Sequence, residues 1–61
     1  MTPYQASLKL KRLLLEAGLP EKKAERHSEI FLSDYGDNVL QISQRWLAFK
    51  VNVIMEIESK K

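Results

Sequence analysis

The stretch that decides the fold is EAGLP, residues 16–20. Gly18 can adopt the left-handed backbone conformation that ends a helix, and Leu19 is then placed to touch Leu14 in a Schellman-type ending. Pro20 cannot continue the first helix, but it fits the first position of a new one. The stretch therefore predicts two helices joined by a tight turn.

The helix before this turn has an equally clear start. Thr2 and Gln5 have the spacing of a capping box, in which each side chain bonds the backbone of the other residue. Pro3 falls at the first helical position, where its missing N–H costs nothing. We expect this helix at about 3–17.

The helix after the turn is expected at about 20–33. Glu21 lies near its positive end, where a carboxylate is favourable. The stretch SDYGDN, residues 33–38, gathers turn-forming residues and predicts a break at 34–38.

The C-terminal segment allows two interpretations. As a helix at about 39–59, it carries two apolar stripes, one of them at heptad-like spacing. As a half-buried strand over residues 49–58, it alternates apolar and polar residues except at Ile54. We favour the helix, because no glycine or proline follows Asn38 and the chain has no second strand-like run to pair with. The sequence predicts an all-α fold with two or three helices.

The small size of the chain predicts self-association. It has 61 residues and no cysteine, so we expect one helical dimerisation domain, residues 1–61, without a disulfide or thiolate metal site. A chain this short buries only about 60% of the surface that it exposes when unfolded, and it gains stability by covering more. With 44% hydrophobic residues the composition argues against disorder. We therefore predict a homodimer.

The long C-terminal helix is the expected dimer interface, because it is apolar over most of its circumference. Trp46 and Phe49 lie beside each other on its heptad-like stripe and are expected at the centre of the interface. The predicted interface residues are Val39, Ile42, Trp46, Phe49, Val53 and Ile57.

His27 is the one histidine, and the sequence shows no orienting partner, nucleophile elbow or glycine-rich phosphate loop beside it. Asp34 and Asp37 lack the spacing of a metal site. We therefore expect no enzyme activity, no metal and no cofactor, and we interpret His27 as a surface or rim residue.

Six basic residues flank the turn between the first two helices and could contact phosphates. Interleaved glutamates cancel part of their charge, and the second helix begins with PEKK, residues 20–23, which is a poor set of side chains for contacting base edges. Nucleic-acid-binding regulation is therefore the alternative function. The six residues are Lys9, Lys11, Arg12, Lys22, Lys23 and Arg26.

The favoured function is that of a non-enzymatic regulatory or adaptor protein that binds another protein. A second apolar stripe on the first helix is the expected partner surface, with a lysine at its edge. These residues are Tyr4, Leu8, Lys11 and Leu15.

The stretch LKRLLLEAGLPEKKAE, residues 10–25, resembles two families of small helical proteins. One comprises the accessory proteins encoded between the exonuclease and excisionase genes of lambdoid phages, and the other has the helical head of mitochondrial calcium-uniporter regulator-like proteins. We favour the phage resemblance, because the second family's head leads into a coiled coil much longer than residues 39–59. The phage resemblance implies a helical protein that influences the choice between lysis and lysogeny through a host or phage partner.

We expect a cytoplasmic location, in the host cytoplasm if the protein is encoded by a phage. The longest wholly apolar run, WLAF at residues 46–49, is only four residues, against about 18 or more for a membrane span. The N-terminal residues also lack the pattern of a secretory signal.

Overall fold

The computed structural model describes residues 1–35 and 41–60, which form helices and connecting turns without any strand. The helices of this part of the chain are α1 (Pro3–Glu16), α2 (Glu21–Tyr35) and α3 (Gln44–Ser59). The predicted all-α fold is confirmed, and the strand alternative for residues 49–58 is wrong.

Both predicted ends of α1 are confirmed. The Thr2 hydroxyl accepts a hydrogen bond from the Gln5 N–H, and the Gln5 side chain accepts one from the Thr2 N–H, both at 3.2 Å. At the other end Gly18 has φ +102°. The Leu19 N–H donates to the Leu14 carbonyl at 3.0 Å, which completes a Schellman ending.

The helix α3 begins at Gln44, so the predicted start at residue 39 is wrong. Residues 41–43 are not helical, and residues 39–40 lie outside the described part of the chain. Ser43 supplies the cap, because its hydroxyl accepts a hydrogen bond from the Trp46 N–H at 3.1 Å. The helix α2 runs two residues past its predicted end at residue 33, to Tyr35.

The segment before α3 is held against the start of the chain. The Ile42 N–H donates to the Met1 carbonyl at 2.8 Å, and the Met1 nitrogen donates to the Ile42 carbonyl at 3.1 Å. These bonds occupy both backbone groups of Ile42 in a tertiary contact. Its side chain is buried in the core, while its backbone stays out of the helix.

The core lies between the three helices. On α1 the side chains of Ala6, Leu10 and Leu14 are fully buried and form one face of the helix, in keeping with their spacing of four residues. The other buried apolar residues of the described chain are Leu19, Ala24, Phe31, Ile42, Leu47 and Ile54.

The directions of the helices follow from contacts at the two ends of α3. Trp46 near its start packs against Tyr35 at the end of α2. Glu58 near its end meets Lys23 near the start of α2. The helices α2 and α3 are therefore antiparallel, and the tight turn at Gly18 makes α1 antiparallel to α2 as well.

Candidate protein-interaction surfaces

The predicted partner surface lies on the solvent side of α1. Tyr4 is 61% exposed, Leu8 is 55% exposed and Leu15 is also exposed, while Lys11 at the edge is half-buried. The core-facing residues of α1 point the other way, so this stripe takes no part in the intramolecular core. We call these three apolar residues the α1 face.

The charges beside the α1 face are mainly positive. Lys9, Lys11 and Arg12 lie among its residues, and Glu16 is the one acidic residue of α1. Arg12 and Glu16 form an exposed ion pair at 3.5 Å, one helical turn apart. The surroundings of the α1 face therefore keep an excess of positive charge.

Of the six predicted dimer-interface residues, four lie on α3, and these do not all face solvent. Phe49 is 64% exposed, Ile57 is 50% exposed and Val53 is half-buried, and together they form a continuous apolar line that we call the α3 stripe. Ile42 is buried inside its own chain. Val39 lies outside the described residues.

Trp46, the sixth predicted interface residue, packs within its own chain. Its ring centroid lies 5.7 Å from that of Phe31 and 5.4 Å from that of Tyr35, and those two rings are 5.1 Å apart. Tilted and edge-on geometries of this kind are favourable between aromatic rings. We call the three residues the aromatic cluster, and it joins the end of α2 to the start of α3.

His27 has a partner that the sequence did not reveal. Its Nε2 atom lies 3.0 Å from Oε1 of Glu58, and Nζ of Lys23 lies 3.0 Å from Oε2 of the same carboxylate. The Glu58 side chain is only 8% exposed. These three residues are the ionic cluster, which joins the start of α2 to the end of α3 and corrects the expectation that His27 has no orienting partner.

A sequence signal for the ionic cluster does exist. Glu58 lies in the last turn of α3, where the negative end of the helix dipole makes a carboxylate unfavourable. A nearby cation would offset this unfavourable interaction. The partner helix could not be identified from this signal, because the approach of α2 depends on the tertiary fold.

The six basic residues around the α1–α2 turn are not all available for phosphate. Arg12 is bonded to Glu16, and Lys23 is bonded to Glu58 in the ionic cluster. A phosphate contact by either residue would compete with an existing carboxylate partner. This arrangement weakens the nucleic-acid alternative.

A pocket of about 690 Å³ opens beside the aromatic cluster. Its described lining offers hydroxyl, phenol and amide groups next to apolar side chains, and no described carboxylate or imidazole reaches it. The lining residues are Met1, Tyr35, Gln41, Ile42, Ser43, Gln44 and Trp46. Within residues 1–35 and 41–60, no three histidine, aspartate or glutamate side chains are grouped as a metal site would require.

No protein-family model, curated protein or solved structure matches this chain. Among the described helices, none combines the length and apolar character that crossing a membrane requires.

Proposed function

We propose that this chain is a small non-enzymatic adaptor that acts through protein–protein contacts. In this proposal the α1 face binds a partner protein, and the α3 stripe binds a second copy of the chain. The observation that supports it is the pair of exposed apolar lines on two different helices of one small bundle.

Single exposed apolar side chains are common on soluble proteins and need no explanation. Here three apolar residues are aligned on each of two helices, all exposed except the half-buried Val53, and two of the side chains are aromatic: Tyr4 is 61% exposed and Phe49 is 64% exposed. Aligned apolar patches with polar edges are typical of interaction sites, and aromatic residues are enriched at their centres. Both lines therefore have the composition and alignment that are typical of docking surfaces.

The resemblance of residues 10–25 supports a biological setting for this adaptor. We place it among phage accessory proteins that bind a host or phage protein in the host cytoplasm and influence the choice between lysis and lysogeny. The resembling stretch covers the end of α1 and the start of α2, including Leu15 of the α1 face.

A capture experiment with matched variants tests the α1 face. Leu8→Glu places a charge in the middle of the face and should abolish capture of the partner from host lysate, because burying a carboxylate in an apolar contact is costly. Ile30→Glu is the control, since Ile30 is an exposed apolar residue on α2, outside both lines. The captured protein is then purified and its binding to wild type and both variants is measured by calorimetry.

If the Leu8→Glu and Ile30→Glu variants bind the captured partner protein equally well, the proposed role of the α1 face is contradicted. The nucleic-acid alternative makes a different prediction for wild type: specific binding to duplex DNA that weakens by orders of magnitude between about 50 and 200 mM salt. Such binding would replace the adaptor proposal with that of a transcriptional regulator.

A further inference from the structure

The two exposed apolar lines differ in the arrangement of the charges around them. The α1 face has Lys9, Lys11 and Arg12 nearby against a single glutamate, so two copies of it would repel each other. The α3 stripe carries a similar excess of positive charge, with Arg45, Lys50 and Lys60 against Glu56, but its arginine and its glutamate lie near opposite ends of one side. This placement lets the α3 stripe pair with its own copy when the two helices run in opposite directions.

Arg45 and Glu56 lie along the same side of the α3 stripe. Their positions differ by eleven, which is close to three turns of a helix with 3.6 residues per turn. Both residues are exposed. The Oε1 atom of Glu56 also lies 3.4 Å from Nζ of Lys60. This pair is exposed, so the carboxylate can still accept a second cation.

Lys50 lies on the opposite side of the stripe, because it follows Phe49 by about 100° around the helix. In a parallel pair of helices, opposite flanks of the seam meet, with residue i beside residue i+5 of the other helix. Arg45 would then lie beside Lys50 of the second copy, twice in each dimer. Parallel pairing is therefore opposed by like charges.

In an antiparallel pair, the same flanks of the two helices meet. Arg45 of each copy can then lie beside Glu56 of the other, while Phe49 packs against Val53. Lys50 approaches its own copy near the dimer axis, but its flexible stem lets the ammonium group extend into water. This orientation replaces two repulsive contacts with two attractive ones.

We propose that two copies of α3 pair in antiparallel orientation through the α3 stripe, with Arg45 of each copy beside Glu56 of the other. This inference rests on the self-association in the proposed function and adds its direction and register. A dimer of this kind carries two α1 faces, so it presents two equivalent sites to a partner.

Single-cysteine crosslinking tests the orientation, because the natural chain has no cysteine. Arg45→Cys and Glu56→Cys are purified separately, mixed in equal amounts and oxidised at micromolar concentration. We expect a disulfide between the two variants and none within either variant alone. In the antiparallel pair identical positions are about 16 Å apart along the axis, beyond the roughly 4–7 Å between α-carbons that a disulfide spans.

A disulfide between Arg45→Cys and Lys50→Cys, mixed in the same way, would show parallel pairing and overturn the inference, while self-association would stand. A wild-type dimer whose variants form neither disulfide would place the contact on another surface, which also overturns it. A wild-type monomer by sedimentation equilibrium at micromolar concentration would refute self-association itself. These failures are distinguishable because sedimentation is measured on wild type, before any cysteine is introduced.

A charge exchange gives an independent readout. Arg45→Glu and Glu56→Arg should each weaken the dimer several-fold, because each places like charges together at both ends of the contact. The double variant restores opposite charges and should recover most of the affinity. Equal weakening in the single and double variants would contradict the proposed register.

Discussion

The two ends of the contact between α2 and α3 are built from different chemistry. At one end the aromatic cluster brings together Phe31, Tyr35 and Trp46, with ring centroids 5.1 to 5.7 Å apart. At the other end the ionic cluster places Glu58 between Lys23 and His27. The aromatic end removes apolar surface from water, whereas the ionic end compensates a carboxylate that the fold has already buried. The first kind of contact contributes more net stability than the second.

The largest expected effect is at the aromatic end. Phe31→Ala should lower the free energy of unfolding by about 3–5 kcal/mol, because Phe31 is 2% exposed and its loss leaves a cavity. That is a large share of the roughly 5–15 kcal/mol typical of a folded domain. Thermal unfolding followed by circular dichroism measures the change.

Tyr4→Ala is the matched control for Phe31→Ala, since it removes an exposed aromatic ring from α1. It should change the stability of the isolated protein by no more than about 0.5 kcal/mol. If the two variants melt at the same temperature, Phe31 does not occupy the core and the aromatic cluster is misplaced.

A smaller effect is expected at the ionic end. Glu58→Gln keeps the shape of the side chain but removes its negative charge, so we expect a loss of about 1–2 kcal/mol from the weakened bonds to Lys23 and His27. Glu29→Gln is the control, because Glu29 is exposed on α2 and takes no part in the ionic cluster or the proposed dimer contact. Its cost should stay below about 0.5 kcal/mol in urea unfolding. Equal costs for the two variants would argue against a buried position for Glu58.

The smallest effect is expected for His27→Ala. One bond to Glu58 is lost while the contact from Lys23 remains, so the expected cost is about 0.5–1.5 kcal/mol. Combined with Glu58→Gln, the two changes should be less than additive, because they remove the same contact. Partner binding should be unaffected, and a loss of binding by a fully folded His27→Ala variant would indicate a chemical role for the imidazole.

The parts of the fold that could be predicted from sequence are those governed by neighbouring residues. The capping box of Thr2 and Gln5 and the left-handed Gly18 are local devices, and both appear in the structure. The buried face of α1 follows from helical periodicity alone. Residues 44–59 could also be predicted to be helical, because they contain no glycine or proline.

The start of α3 and the ionic cluster depend on contacts distant in sequence. Ile42 continues the helical apolar pattern, yet its backbone bonds Met1 instead of joining a helix. Ser43 is an effective cap, but without glutamate or glutamine three residues on it lacks the capping-box pattern. Glu58 and Lys23 are far apart in the chain, and no periodicity relates them. Of the proposed surfaces, periodicity identified the α3 stripe, and the fold showed which of its residues remain exposed.

The position of Trp46 has a spectroscopic consequence. It is the only tryptophan, so the fluorescence of the protein excited near 295 nm comes from one ring at the aromatic cluster. Emission therefore responds to the separation of α3 from α2, whereas circular dichroism responds to the helix content of the whole chain. Coincident denaturation curves from the two signals would show a single cooperative unit. A fluorescence change that precedes the loss of helix would mean that α3 separates from α2 while its backbone remains helical.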